Sequence, residues 1–136
     1  VVEGINHFAG EMRSRGKHFC VMIIPYEMQI SEEASRRYKQ LGIHWEDGFL
    51  DQSTQRAICK YMDPKIEYLN AYYAFVDSSN IEKSRSENGL GEFFVYDQGD
   101  KLDYNHPNRA GHRKIAEYAL EKSFCIPYSL QFTKEE

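Results

Sequence analysis

No apolar run in this sequence approaches the ~18 residues that a membrane-crossing helix requires. No stripe of lysine and arginine runs along it, and the formal net charge is −4. The electrostatic footprint of a nucleic-acid binder is therefore missing, and nucleic acid is not expected as a partner. Cysteine is scarce and odd in number. Cys20, Cys59 and Cys125 show no C-x-x-C spacing, so neither a disulfide framework nor a zinc knuckle is expected, and all three read as small buried thiols. No G-x-S-x-G nucleophile elbow occurs, and no internal repeat or low-complexity linker divides the chain.

What is present fits one domain. The 136 residues are 41% hydrophobic and 28% charged, a globular balance far from that of a disordered chain. Ten Tyr and eight Phe can cover a half-wet core, with each tyrosine hydroxyl reaching water or a partner. The sequence opens on Val1-Val2 in what reads as mid-helix, which suggests a piece of something longer.

Apolar residues at Val1, Val2, Ile5, Phe8, Ala9 and Met12 make the stripe of an amphipathic helix, with Gly16 as its stop. HFCVMIIP follows as a continuous apolar run ending in Pro25, the pattern of a central strand covered on both faces. Ser31 caps a second helix ending at Gly42, and Asp51 can cap a third that runs to about Met62. Residues 66–70 read as a short strand, and Ala71 to Val76 as a helical turn. The polar stretch 77–91 reads as a surface loop, and GEFFVYD holds a last strand. Ile115, Ala116, Ala119 and Leu120 stripe a C-terminal helix, after which FCIPYSLQF is expected to pack back and TKEE to fray. This alternation predicts α/β layers on a parallel sheet, yet three short strands are fewer than a doubly wound sheet carries.

Chemistry concentrates in DYNHPNRAGH, residues 103–112. Asp103 lies three residues before His106, close enough for its carboxylate to accept the imidazole Nδ1–H and leave Nε2 as a base. Pro107 stiffens the step into the helix and Asn108 is suited to cap it. Two other readings remain open: a plain capping turn, or a calcium- or magnesium-type cluster of Asp97, Asp100, Asp103 and His106. Tyr26 and Glu27 follow the first strand, where open α/β sheets bind ligands, and Asn108 stands beside the base, so all three are candidate pocket residues. His112 reads as structural, and Trp45 between His44 and Glu46 as cover for the core. His7 and His18 read as surface or helix-end residues.

The pattern D-x-x-H-P-N-x-x-G-H-x-x-I-A-x-x-x-L, in the stretch from Tyr96 to Leu120, resembles the last sequence block of the SGNH hydrolase superfamily, the GDSL-type esterases and lipases. The upstream helix and strand order is similar to the C-terminal half of that fold. The resemblance implies a three-layer α/β/α, flavodoxin-like domain that here lacks its N-terminal strands. It implies a serine ester hydrolase in which His106 is the general base and Asp103 orients it. The serine and the oxyanion-hole glycine and asparagine lie upstream in the family and have no counterpart here, so these 136 residues alone are expected to be inactive. Val76-Asp77-Ser78-Ser79 has Val where a G-D-S motif has Gly and is read as a chance likeness.

The expected partners are a small-molecule or carbohydrate ester and the missing N-terminal segment of the same domain, with no cofactor and no metal. A polysaccharide O-acetyltransferase fits the same triad. The alternative is a non-catalytic binding or partner module in which the turn only caps a helix. An unpaired sheet edge would also allow a homo-oligomer.

Overall fold

The computed structural model describes residues 1–42, 48–95 and 106–125. Helix α1 (Val2–Ser14) leads to strand β1 (Cys20–Ile23), the short helix α2 (Glu27–Ile30), α3 (Glu32–Gln40) and α4 (Ser53–Tyr61). Strand β2 (Glu67–Asn70) follows, then a 3-10 turn (Ala71–Ala74), α5 (Ile81–Glu87) and α6 (Arg109–Glu121). β1 and β2 pair in parallel, with Cys20 opposite Glu67 and Ile23 opposite Asn70. Mixed helix and parallel sheet makes this an α/β fold. Among the described residues no helix is long and apolar enough to cross a membrane.

Local chemistry explains most boundaries. The stripe of α1 buries Ala9, with Val2 and Ile5 packing on Met62, Ile66, Phe19 and Val21. Gly16 ends it at φ 66°, a left-handed conformation that glycine adopts without strain. Asn6 ties α1 to the α4–β2 junction: its Nδ2 donates to the Tyr61 carbonyl at 3.0 Å and its Oδ1 accepts the Asp63 N–H at 2.8 Å. The Ser31 hydroxyl accepts the Ala34 N–H, as an N-cap should, and α3 ends before Gly42 at φ 80°. The Asp51 carboxylate accepts the Ser53 N–H at the start of α4. The main core joins Ile30, Tyr72, Phe75, Val76, Phe94 and Ile115.

Four sequence expectations need correction. β1 is not a strand covered on both faces: Met22 and Ile24 are 36% and 42% exposed, and Tyr68 on β2 is 48% exposed. With two strands in the described sheet, both are edges.

The last strand does not form over residues 91–95. Phe94 makes a single antiparallel bridge to Pro107, flanked by Val95 N–H to the His106 carbonyl and Asn108 N–H to the Phe93 carbonyl, both at 2.9 Å. Proline fits there because the bridge uses the amides on either side and not its own.

The segment 77–91 is not all loop, because α5 forms within it, capped by Asn80. Its inward face carries buried Ser84, and the following Asn88 is buried too, donating to the Ile30 and Phe75 carbonyls. These polar residues give no apolar stripe.

Finally, the cysteines are not three buried thiols. Cys20 and Cys125 form a disulfide, and Cys59 is the free one.

Candidate functional site

The start of α6 is held by one side chain. Asn108 Oδ1 accepts the N–H groups of Ala110 and Gly111 at 2.9 and 3.0 Å, capping the helix. Its Nδ2 faces the carbonyls of Gly91, Glu92 and Phe94 at 3.0–3.1 Å. The side chain thus satisfies helix donors on one side and the acceptors of a neighbouring turn on the other. Pro107 is buried beside it, whereas His106 is exposed with its carbonyl fixed by Val95.

The same turn is fastened from the sheet side. Glu27, just past β1, is 1% exposed. Its Oε1 accepts the Gly91 N–H at 2.6 Å and its Oε2 accepts the Tyr38 hydroxyl at 2.8 Å. A chain of hydrogen bonds therefore runs from the segment after β1, through Gly91, to Asn108 and the head of α6. Burial pushes the Glu27 carboxyl above its ordinary range, opposed in part by those two donors, with Glu33 adding a smaller push upward.

A pH dependence follows. A carboxyl raised in the fold stabilises it fully below its unfolded value, ordinarily 4.5, and that contribution is lost as pH rises through the folded value. Glu27→Gln keeps an acceptor for Gly91 and lets Tyr38 accept from the new amide. Urea unfolding between pH 4 and 8 should show the wild type losing stability relative to the glutamine variant as pH rises. A constant difference across that range would show that Glu27 does not titrate with folding.

The turn thus brings together Glu27 and Asn108 through Gly91. Tyr26 is half-buried and donates its backbone N–H to Gln29 Oε1 at 2.8 Å, entering α2. Asp103 lies outside the described residues, as do Asp97 and Asp100 of the alternative metal cluster and His44, Trp45 and Glu46. His112 is exposed on α6.

The Val76-Asp77-Ser78-Ser79 segment is a turn leading into α5. Asp77 Oδ1 accepts both the backbone N–H and the hydroxyl of Ser79, which hold its carboxyl below the usual range. That turn borders a cavity of about 700 Å³ between the 3-10 turn, α5 and α6. Lys114 lines it with its Nζ 4.3 Å from the centre of the Phe93 ring, and burial pushes its amine down. His106 is not among the cavity's lining residues.

Sequence reasoning identified the Asn108 cap but not its reach to Gly91, Glu92 and Phe94. Nothing in the local pattern signals that reach, because the partners lie 14–17 residues away. Comparison with protein-family models, with curated proteins and with solved structures returns no match for this chain.

Proposed function

We propose that this chain carries the acid–base half of an SGNH-type serine ester hydrolase. The observation that supports the reading is the clamp at the head of α6. Asn108, Pro107 and the Phe94 bridge fix the backbone on the C-terminal side of His106, while His106 itself is exposed. A general base benefits from such fixing, since misplacement by about 1 Å can cost on the order of a hundredfold in rate. The tie from Glu27 to Gly91 sets this turn near the segment after β1, where parallel sheets bind ligands.

In this reading His106 takes the proton of a serine hydroxyl as the oxygen attacks the acyl carbon, then returns it to the departing alkoxide. Water repeats the cycle on the acyl-serine, and a sugar hydroxyl in place of water makes the reaction an acyl transfer. Asp103 orients the imidazole, and the serine and oxyanion-hole donors come from chain outside these 136 residues. The remaining strands would extend the β1–β2 pair into the three-layer, flavodoxin-like sheet. The right-handed crossover habit of parallel strands gives that extension a natural side.

The test is fluorophosphonate labelling of the protein expressed from its complete gene, with the modified residue located by mass spectrometry. A serine outside residues 1–136 should be labelled, and His106→Ala should abolish the labelling while the far-UV circular dichroism melt stays within a few degrees. No reactive serine, or labelling indifferent to His106, overturns the reading.

A further inference from the structure

At the opposite end of the sheet, where both strands begin, four metal-binding side chains meet. The parallel register sets Cys20 opposite Glu67 on one face. His18 precedes Cys20 by two residues. Cys125 arrives from the turn after α6, at φ 57°. His18 Nε2 lies 3.0 Å from Glu67 Oε2 and 3.6 Å from Cys20 Sγ, and Cys20 Sγ lies 3.8 Å from the same carboxylate oxygen. The donor atoms of His18, Cys20 and Cys125 all fall within 4.8 Å of one another. Glu67 Oε1 meanwhile accepts the Cys125 N–H at 2.8 Å, which holds the carboxylate in place.

We propose that the Cys20–Cys125 disulfide is the oxidised form of a metal site, and that reduction lets Cys20, Cys125, His18 and Glu67 bind a zinc-type divalent ion. The distances support this. Metal–ligand bonds of about 2.0–2.3 Å in a tetrahedron put nitrogen and oxygen donors roughly 3.3 Å apart and a sulfur about 3.6 Å from a nitrogen. The His18–Glu67, His18–Cys20 and Cys20–Glu67 edges are already close to these values, and completing the tetrahedron requires the two sulfurs to part to about 3.8 Å, with the Cys125 sulfur and the Glu67 carboxylate closing on the same ion. Two thiolates, an imidazole and a carboxylate form a donor set for zinc, not for calcium or magnesium. The N–H of Cys125 on Glu67 is the outer contact that orients such a ligand. His18 and Glu67 are both partly exposed, so reductant and ion have access.

The step balances simply. A dithiol reductant delivers two electrons and two protons, becoming a disulfide itself, and leaves Cys20 and Cys125 as thiols. The incoming ion displaces those two protons. Oxidation reverses both events and expels the ion, so the site senses redox state and releases metal. This inference is independent of the hydrolase reading.

Cobalt is the probe, because its tetrahedral thiolate complexes absorb in the visible. Residues 1–136 carrying Cys59→Ser, reduced with a phosphine and titrated with Co²⁺ anaerobically, should develop those bands, and Zn²⁺ should bleach them. The oxidised protein should show neither. Zn²⁺ should raise the melting temperature of the reduced form alone. His18→Ala should weaken Zn²⁺ binding by about 10- to 100-fold or more, a range set by losing even an outer contact. Absence of the cobalt bands in the folded, reduced protein overturns the proposal, whatever the variants do. So does equal binding by the oxidised form or by a Cys20→Ser, Cys125→Ser variant, since either result would show that the two sulfurs are not ligands of the ion.

Discussion

Replacing Cys20 and Cys125 together by serine should lower the unfolding free energy by about 4.7 kcal/mol, the chain-entropy value for a loop of about 100 residues. The two residues are 105 apart in sequence, so the bond closes most of the chain into one loop. Without it the denatured ensemble expands and gains entropy that the oxidised protein lacks. The native side of the balance points the same way. Cys20 opens β1 and Cys125 ends the turn after α6, so the bond ties the last helix to a sheet of two described strands. Urea unfolding of the oxidised, reduced and doubly substituted proteins checks this. The reduced and serine forms should agree, with a melting temperature lower by roughly 10–20 °C and a steeper denaturant dependence than the oxidised form. A loss under about 1 kcal/mol would mean that the denatured chain already keeps these ends near each other.

That bond was invisible in the sequence for a physical reason. Pairing across 105 residues is a property of the folded topology, whereas spacing rules read neighbours. The elements that were legible are the ones written locally. The stripe of α1 with Gly16 behind it, the Ser31 cap of α3 and the Asn108 cap of α6 each depend on residues within about one turn. β1 was legible as an apolar run and β2 as a short strand, but their exposure was not, since covering a face depends on what packs there. α5 was missed because its buried side is Ser84 and the next buried residue is Asn88, and hydropathy reads both as surface.

The short α2 has the same explanation. Glu27 and Gln29 are buried by hydrogen bonding, with Gln29 and Gln55 exchanging amide contacts at 2.9–3.0 Å. At the candidate site the division repeats. The helix cap was readable, and the ties from Asn108 and Glu27 to the turn at Gly91 were not.

Gly111→Ala tests those ties where they are tightest, and it should cost about 3 kcal/mol, the upper part of the range for overpacking a close-packed site. A β-carbon at Gly111 would overlap the Phe93 carbonyl oxygen and sit 3.0 Å from Pro107 Cβ. Neither obstacle is the free end of a flexible side chain. Phe93 O is backbone, and it already accepts the Asn108 N–H at 2.9 Å. Moving it breaks the bridge that sets Phe94 against Pro107, and with it the grip of Asn108 on the turn.

Helix propensity works in the other direction, since alanine inside a helix gains roughly 0.5–1 kcal/mol over glycine. Gly10 supplies the control. It lies in α1 with open space where its β-carbon would go, so Gly10→Ala should stabilise by about that amount. The same substitution in two helices of one protein should thus shift stability in opposite directions, measured side by side by urea unfolding. Equal effects would mean that α6 can slide away from Phe93, and a site built on that contact would then lack the rigidity a base at His106 requires.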